Sequence, residues 1–140
     1  MPASWLLKTE PKTYSFDRLL QEGRTTWDGV HNNLALQHLR AMKAGDRLLI
    51  YHSGAEKAVV GTGKVVKAAY QDPTQEDPRV VVVDISGDTR LPTPVTLATL
   101  KAESELKEFP LIRMTRLSVM PVPAEVWKRI VALGGAKAQG

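Results

Sequence analysis

Hydrophobic and polar positions along the chain change period every ten residues or so, the pattern of short strands alternating with short helices. Residues 3–9 alternate and stop before Pro11, predicting a first strand with Trp5, Leu7 and Thr9 on one face and Leu6 and Lys8 on the other. Ser15 then offers an N-cap for a short helix through Leu19 and Leu20, and Gly23 suits its left-handed end. Ala35, Leu36, Leu39 and Met42 recur at helical spacing, predicting a second helix closed by Gly45, with His38 on its surface. The unbroken run Leu48-Leu49-Ile50-Tyr51 predicts a strand covered on both faces, within 46–53.

Residues 58–69 read as a long strand in which Gly61 and Gly63 share a face, the mark of a sharp bend or of close approach by another group. A polar loop over 72–78 leads to a buried strand over 79–85, which Gly87 and Asp88 end. Pro92 and Pro94 punctuate the next connection, and Leu97, Leu100 and Leu106 fall on one or two short helices. Residues 116–119 read as a last strand, with Leu117 and Val119 inward or Arg116 and Ser118 toward a site. Val126, Trp127, Ile130 and Leu133 make the apolar stripe of a final helix that has Pro123 in its first turn and Gly134 at its end. Five or six strands with helices around them predict a small mixed α+β domain, built on a β-barrel or curved sheet flanked by short helices. It spans 1–135, and 136–140 form a frayed tail.

One stretch stands out from this scaffold. Thr26-Trp27-Asp28-Gly29-Val30-His31-Asn32-Asn33 ends a strand and opens a helix, and places an aromatic ring beside a carboxylate, a glycine and two amides. A flat, hydrogen-bonding ligand could be stacked on and read at such a junction, where backbone N–H groups are free. The structural alternative makes Trp27 a core anchor, Gly29 a turn residue, and Asn32 or Asn33 an N-cap. Tyr51-His52-Ser53 sets three hydrogen-bonding side chains in succession, but alternation sends Tyr51 and Ser53 to one face and His52 to the other. All three enter one pocket only if the strand bends. Adjacent Ser and His on a strand point apart, which disfavours a hydrolase triad.

Composition narrows the picture further. The 140 residues are 43% hydrophobic and 24% charged, an ordinary soluble balance, and no apolar run is long enough for a signal peptide or a bilayer span. A cytoplasmic protein with no membrane partner is expected. The absence of cysteine removes disulfides, thiol chemistry and thiolate zinc sites, and no histidines sit at ligand spacing, so neither a metal nor a cofactor is assigned. The net charge of +4 is mild but segregated. Arg40, Lys43, Arg47, Lys57, Lys64 and Lys67 face only Asp46 and Glu56 in one segment, whereas Asp72, Glu76, Asp77, Asp84 and Asp88 face only Arg79 in the next. Such segregation can present one positive face to a phosphate backbone.

Five stretches together carry a resemblance: Trp5-Leu6-Leu7-Lys8-Thr9-Glu10-Pro11, Tyr14-Ser15-Phe16-Asp17, Trp27-Asp28-Gly29-Val30-His31-Asn32, Gly45-Asp46 with Tyr51-His52-Ser53, and Arg116-Leu117-Ser118-Val119. In this order and spacing the sequence resembles the EVE domain family over nearly its whole length. The resemblance implies a PUA-like fold, related to YTH and SRA domains, and a pocket for a modified nucleobase in DNA or RNA. It implies that Lys8, Thr9 and Glu10 lie beside Trp27, Asp28 and the helix start at Asn32, with Tyr51, His52 and Ser53 completing the wall. His31, Arg116 and Ser118 fall at the rim or on the nucleic-acid backbone. His31 stands where many members carry a basic residue, so phosphate attraction there follows histidine protonation.

The leading expectation is a non-catalytic reader of a modified base. Other PUA-like barrels include hydrolases of modified nucleosides, and Lys8, Glu10, Asp28 and His52 are capable of acid or base work. A protein-interaction module with a vestigial pocket is the third reading. The choice of base, the choice of DNA or RNA, and the oligomeric state are not legible in the sequence.

Overall fold

The computed structural model of the protein describes residues 2–136. Its elements are β1 (Ser4–Thr9), α1 (Phe16–Glu22), β2 (Arg24–Trp27), α2 (Asn33–Ala41), β3 (Arg47–His52), β4 (Ala58–Gln71), β5 (Val81–Thr96), α3 (Leu97–Lys101), α4 (Pro110–Arg113), β6 (Val119–Pro121) and α5 (Ala124–Leu133), with a 3-10 turn at Ser104–Leu106. The strands form one six-stranded sheet in the order β2-β5-β4-β3-β1-β6. The fold is the expected mixed α+β, and of the two expected forms the sheet takes the open, curved one. Its edges, β2 and β6, do not pair among the described residues.

Local chemistry explains most of these elements. Ser15 Oγ accepts the Arg18 N–H at 3.1 Å to open α1, and Gly23 closes it at φ +78°. Asn32 Oδ1 accepts the Ala35 N–H at 3.0 Å to open α2. β1 runs parallel to β3, the one parallel pair in the sheet, and the connection between them holds α1, β2 and α2 as the crossover that such a pair needs. Both faces of β1 and β3 are covered, so Leu6, Leu7, Leu48, Leu49 and Ile50 are all fully buried. Gly61 and Gly63 sit where β4 slips register against β5. A Cβ on Gly61 would overlap the Phe16 ring, and one on Gly63 would overlap the Ser86 carbonyl, so both glycines admit a close neighbour.

The structure corrects several expectations. β5 does not stop at Gly87 and Asp88 but continues to Thr96, carrying Pro92 and Pro94 within it. Residues 91–94 have no partner in either neighbouring ladder, so the missing proline N–H groups cost no hydrogen bond there. The last strand begins at Val119, and Arg116 lies instead in the turn before it, closed by the Leu117 N–H to Met114 O bond at 3.0 Å. α2 ends with Met42 as its cap, and Gly45 belongs to the following turn. His38 is half-buried, its ring centroid 5.9 Å from that of Trp5, not a free surface residue. Of the expected frayed tail, Ala136 donates its N–H to Val131 O at 3.1 Å, and 137–140 lie outside the described residues. Among the described residues no helix is long and apolar enough to cross a membrane.

Candidate functional site

The opening between the sheet edges holds a cleft of about 560 Å³. One wall comes from edge strand β2 and the turn after it, through Thr25, Thr26, Trp27, Asp28, Gly29 and Val30. The facing wall comes from Lys8, Thr9 and Glu10 at the end of β1 and from Ser118, just before edge strand β6. Residues 13–22, with Thr13, Tyr14, Arg18 and Glu22, complete the lining.

Trp27 ends β2 opposite Val83 and is 8% exposed, so most of its ring is core and the remainder faces the cleft. Tyr14 meets it edge-on, with centroids 6.0 Å apart and planes at 88°. Tyr14 is held by its backbone, since its N–H donates to Glu10 O at 2.9 Å and its carbonyl accepts Thr9 Oγ1 at 2.7 Å. Its hydroxyl donates to Glu22 Oε1 at 2.5 Å, while the Arg18 guanidinium lies 5.0 Å from the ring centroid and 3.3 Å from Glu22 Oε2. Burial, and then the bond to Glu22, push the phenol above its usual value, and that same bond holds the Glu22 carboxyl below its own. The pair is therefore a fixed hydroxyl-to-carboxylate bond at neutral pH.

Across the cleft, Lys8 Nζ donates to Thr115 O at 3.0 Å and sits 5.8 Å from the Tyr51 ring centroid. Burial lowers its affinity for the proton. Glu10 packs beside the Gly54 turn, where a Cβ would overlap its carboxylate. Asp28 is exposed and makes no hydrogen bond or ion pair with the described residues. The charged lining is thus Lys8 and Arg18 against Glu10, Glu22 and Asp28, one negative charge in excess. A lining of this kind suits a ring that offers N–H donors better than it suits a phosphate.

The remaining sequence-predicted residues lie elsewhere. Asn32 and Arg116 line a separate shallow depression of about 330 Å³ with Leu34, Met114, Thr115 and Leu117. His31 is exposed on the side of Asp72, whose carboxyl is held down chiefly by the Thr74 hydroxyl and N–H and in smaller part by His31. Tyr51, His52 and Ser53 do not line the cleft. Tyr51 is buried in the core beneath Lys8, and Ser53 donates its N–H to Thr9 O at 2.9 Å. Buried His52 accepts the Phe16 N–H on Nε2 at 3.0 Å, which places its proton on Nδ1, 2.8 Å from Glu56 Oε1. It therefore ties the start of α1 to β3 and leaves no nitrogen for acid or base work.

Thr13, Tyr14, Arg18, Glu22 and Thr25 line the cleft without a role predicted from the sequence. Tyr14 lies within one of the five stretches that carry the family resemblance, and Arg18 and Glu22 stand four apart on one helix, as an ion pair would.

The profile of the EVE domain family matches residues 3–133. Mouse thymocyte nuclear protein 1 is 31% identical over 92% of this chain and 72% of its own length. A solution structure of a Rhodopseudomonas palustris protein superposes with a TM-score of 0.91 at 44% identity, covering 95% of this chain and 93% of that one. The crystal structure of human THYN1 protein in complex with DNA containing 5-methylcytosine superposes with a TM-score of 0.86 at 29% identity, covering 97% of this chain and 99% of that one.

Proposed function

The chain belongs to the EVE domain family, and from that premise we propose that it binds nucleic acid and reads a modified nucleobase in the cleft at Trp27. The observation that carries the reading is the cleft itself. It is a slot of about 560 Å³ with an indole on one wall, a phenol crossing that indole at a right angle, and the unpaired Asp28 carboxylate beside them. A base leaves its stack and lies against Trp27, where base–aromatic stacking contributes roughly 1–3 kcal/mol. Asp28 and Glu10 accept its amino or ring N–H groups, and Lys8 donates to its carbonyl oxygens. The human relative's complex with 5-methylcytosine DNA supports a DNA ligand of this class.

Size alone discriminates weakly, since one methyl group in an apolar pocket is worth only about 1–3 kcal/mol. Selectivity should be modest for a methyl mark and larger for a hydroxyl or bulky polar adduct, which an unpaired carboxylate can accept or reject.

The test is binding to single- and double-stranded DNA and RNA oligonucleotides, each with one modified base, at two salt concentrations. Selectivity for one modified base should survive the higher salt, because it arises in the cleft and not from released counterions. Trp27→Ala should erase that selectivity, cut affinity for the modified oligonucleotide roughly 5- to 150-fold through the stacking energy above, and leave the salt-sensitive component. Unchanged selectivity in that variant would remove Trp27 from the reading. A new product after incubation with modified nucleosides would turn the reader into an enzyme.

A further inference from the structure

We infer that Met114 is an apolar wedge that enters the base stack beside the nucleotide held at Trp27, which makes a duplex the substrate form for this cleft. The inference rests on the cleft being a base pocket.

Met114 is 45% exposed, the most exposed large hydrophobic side chain among the described residues. Single exposed apolar residues are common, so exposure by itself decides nothing. Its setting is what distinguishes it. Leu20 and Val66, the other two exposed large hydrophobics, line neither the cleft nor its flank. Met114 lies next in sequence to Thr115, whose carbonyl receives Lys8 Nζ from the cleft wall at 3.0 Å. On its other side it lines the shallow depression with Asn32 and Arg116. The exposed Met114 side chain thus stands one residue from the carbonyl that holds the cleft's Lys8 and shares a depression with the exposed Arg116.

The backbone that carries Met114 is held rigidly. Its N–H donates to Pro110 O at 2.7 Å and its carbonyl accepts the Leu117 N–H at 3.0 Å. Leu111 and Leu117, three residues away on either side, are both buried and anchor the knuckle at each end. A flexible, polarizable side chain on a fixed backbone can fill an irregular gap without the backbone having to order on binding. Taking one base out of a duplex leaves such a gap, and its neighbours lose stacking on one side. An inserted apolar side chain replaces that contact, which is how wedge residues offset the cost of unstacking. Arg116 beside it then lies where the backbone of the opened strand passes. A single strand has no gap to fill and gains nothing from Met114.

The experiment uses a duplex with one 5-methylcytosine and 2-aminopurine as its neighbour, together with the same modified strand alone. The protein should bind the duplex and raise the 2-aminopurine fluorescence as the neighbour unstacks. Met114→Ala should abolish that rise and weaken duplex binding roughly tenfold, with single-strand binding unchanged; Met114→Leu should keep both. The variant's thermal midpoint should match the parent's, because the side chain is exposed. Equal weakening of both forms, no effect on either, or no fluorescence rise with the parent protein would each overturn the wedge. Trp27→Ala separates the two ideas. If it loses selectivity while Met114→Ala is silent, the pocket stands and the wedge falls. If Trp27→Ala is silent, the pocket falls, and the wedge with it.

Discussion

The protein has two clefts of nearly equal size, and their tryptophans are used in opposite ways. The second cleft, about 580 Å³, is lined by Arg47, Thr62, Lys64, Asp88, Leu91, Trp127 and Val131 among others. There the Arg47 guanidinium lies 4.4 Å from the Trp127 ring centroid, and its Nε donates to Ser4 Oγ at 3.2 Å. The indole face is already covered by a cation that is itself tethered. At the first cleft Trp27 has Tyr14 across it at a right angle and no cation stacked on it among the described residues, and the carboxylate next to it has no partner. Volume therefore does not separate the two, nor does a free carboxylate, since Asp88 in the second cleft is as unpaired as Asp28 in the first; the tethered cation over Trp127 does. Beside the second cleft, buried polar groups hold the fold together.

Asp46 shows this most plainly. It is buried, and its carboxylate accepts the Trp5 indole N–H at 2.9 Å, the Lys43 N–H at 2.9 Å and the Ala3 N–H at 3.2 Å. Asp46→Ala strands these donors and should cost at least about 3 kcal/mol in urea denaturation, since each bond to a charged group is worth about 1.5–3 kcal/mol. Base selectivity of the folded fraction should not change. A loss of selectivity at full stability would put the ligand at the wrong cleft.

A matched pair of glycines gives the next largest effect. Gly54 at φ +79° and Gly45 at φ +94° both occupy backbone that costs an L-residue about 1–2 kcal/mol, so alanine at either should lower stability by that amount. Only Gly54→Ala forces the Glu10 carboxylate to move, whereas a Cβ on Gly45, at the second cleft, meets open space. Oligonucleotide titration should therefore show altered selectivity in Gly54→Ala and none in Gly45→Ala. Equal behaviour would remove Glu10 from base reading.

The smallest effect concerns His38, packed against Trp5. Burial holds its imidazole below the ordinary 6.5, so between the folded-state value and 6.5 the unfolded chain binds more protons. Stability should rise with pH across that window and fall as pH drops through 6.5, and His38→Gln should flatten the slope without altering base selectivity. A denaturation series in matched buffers reads both.

The same division explains what could be read in advance. Caps and periodicity are local, so α1 with Ser15 and Gly23, and α2 from Asn32, were legible from neighbouring residues. The continuation of β5 through Pro92 and Pro94 was not, because it depends on the neighbouring ladders having no partner for 91–94, a tertiary fact. At the site, Lys8, Thr9, Glu10, Trp27 and Asp28 come together as expected from two stretches of the chain. Tyr51-His52-Ser53 looked equally chemical but serves the scaffold, because the His52 ring is taken by an α1 N–H that no sequence pattern places beside it. Tyr14 was hidden for the converse reason: its ring reaches Trp27 only once Thr9 has fixed its backbone.

The unclosed sheet has a last consequence. Had β2 and β6 paired, their separation would be fixed by the ladder spacing of about 4.8 Å and could change only by a whole strand. Instead no ladder spans the opening, and the segment over 10–15, folded on itself by the Thr9 hydroxyl and the Tyr14 carbonyl, sets the Tyr14 ring against Trp27 on the β2 side. No ladder spacing sets the slot's width, so substitutions in that segment can retune it for a thicker or thinner guest while every strand keeps its register.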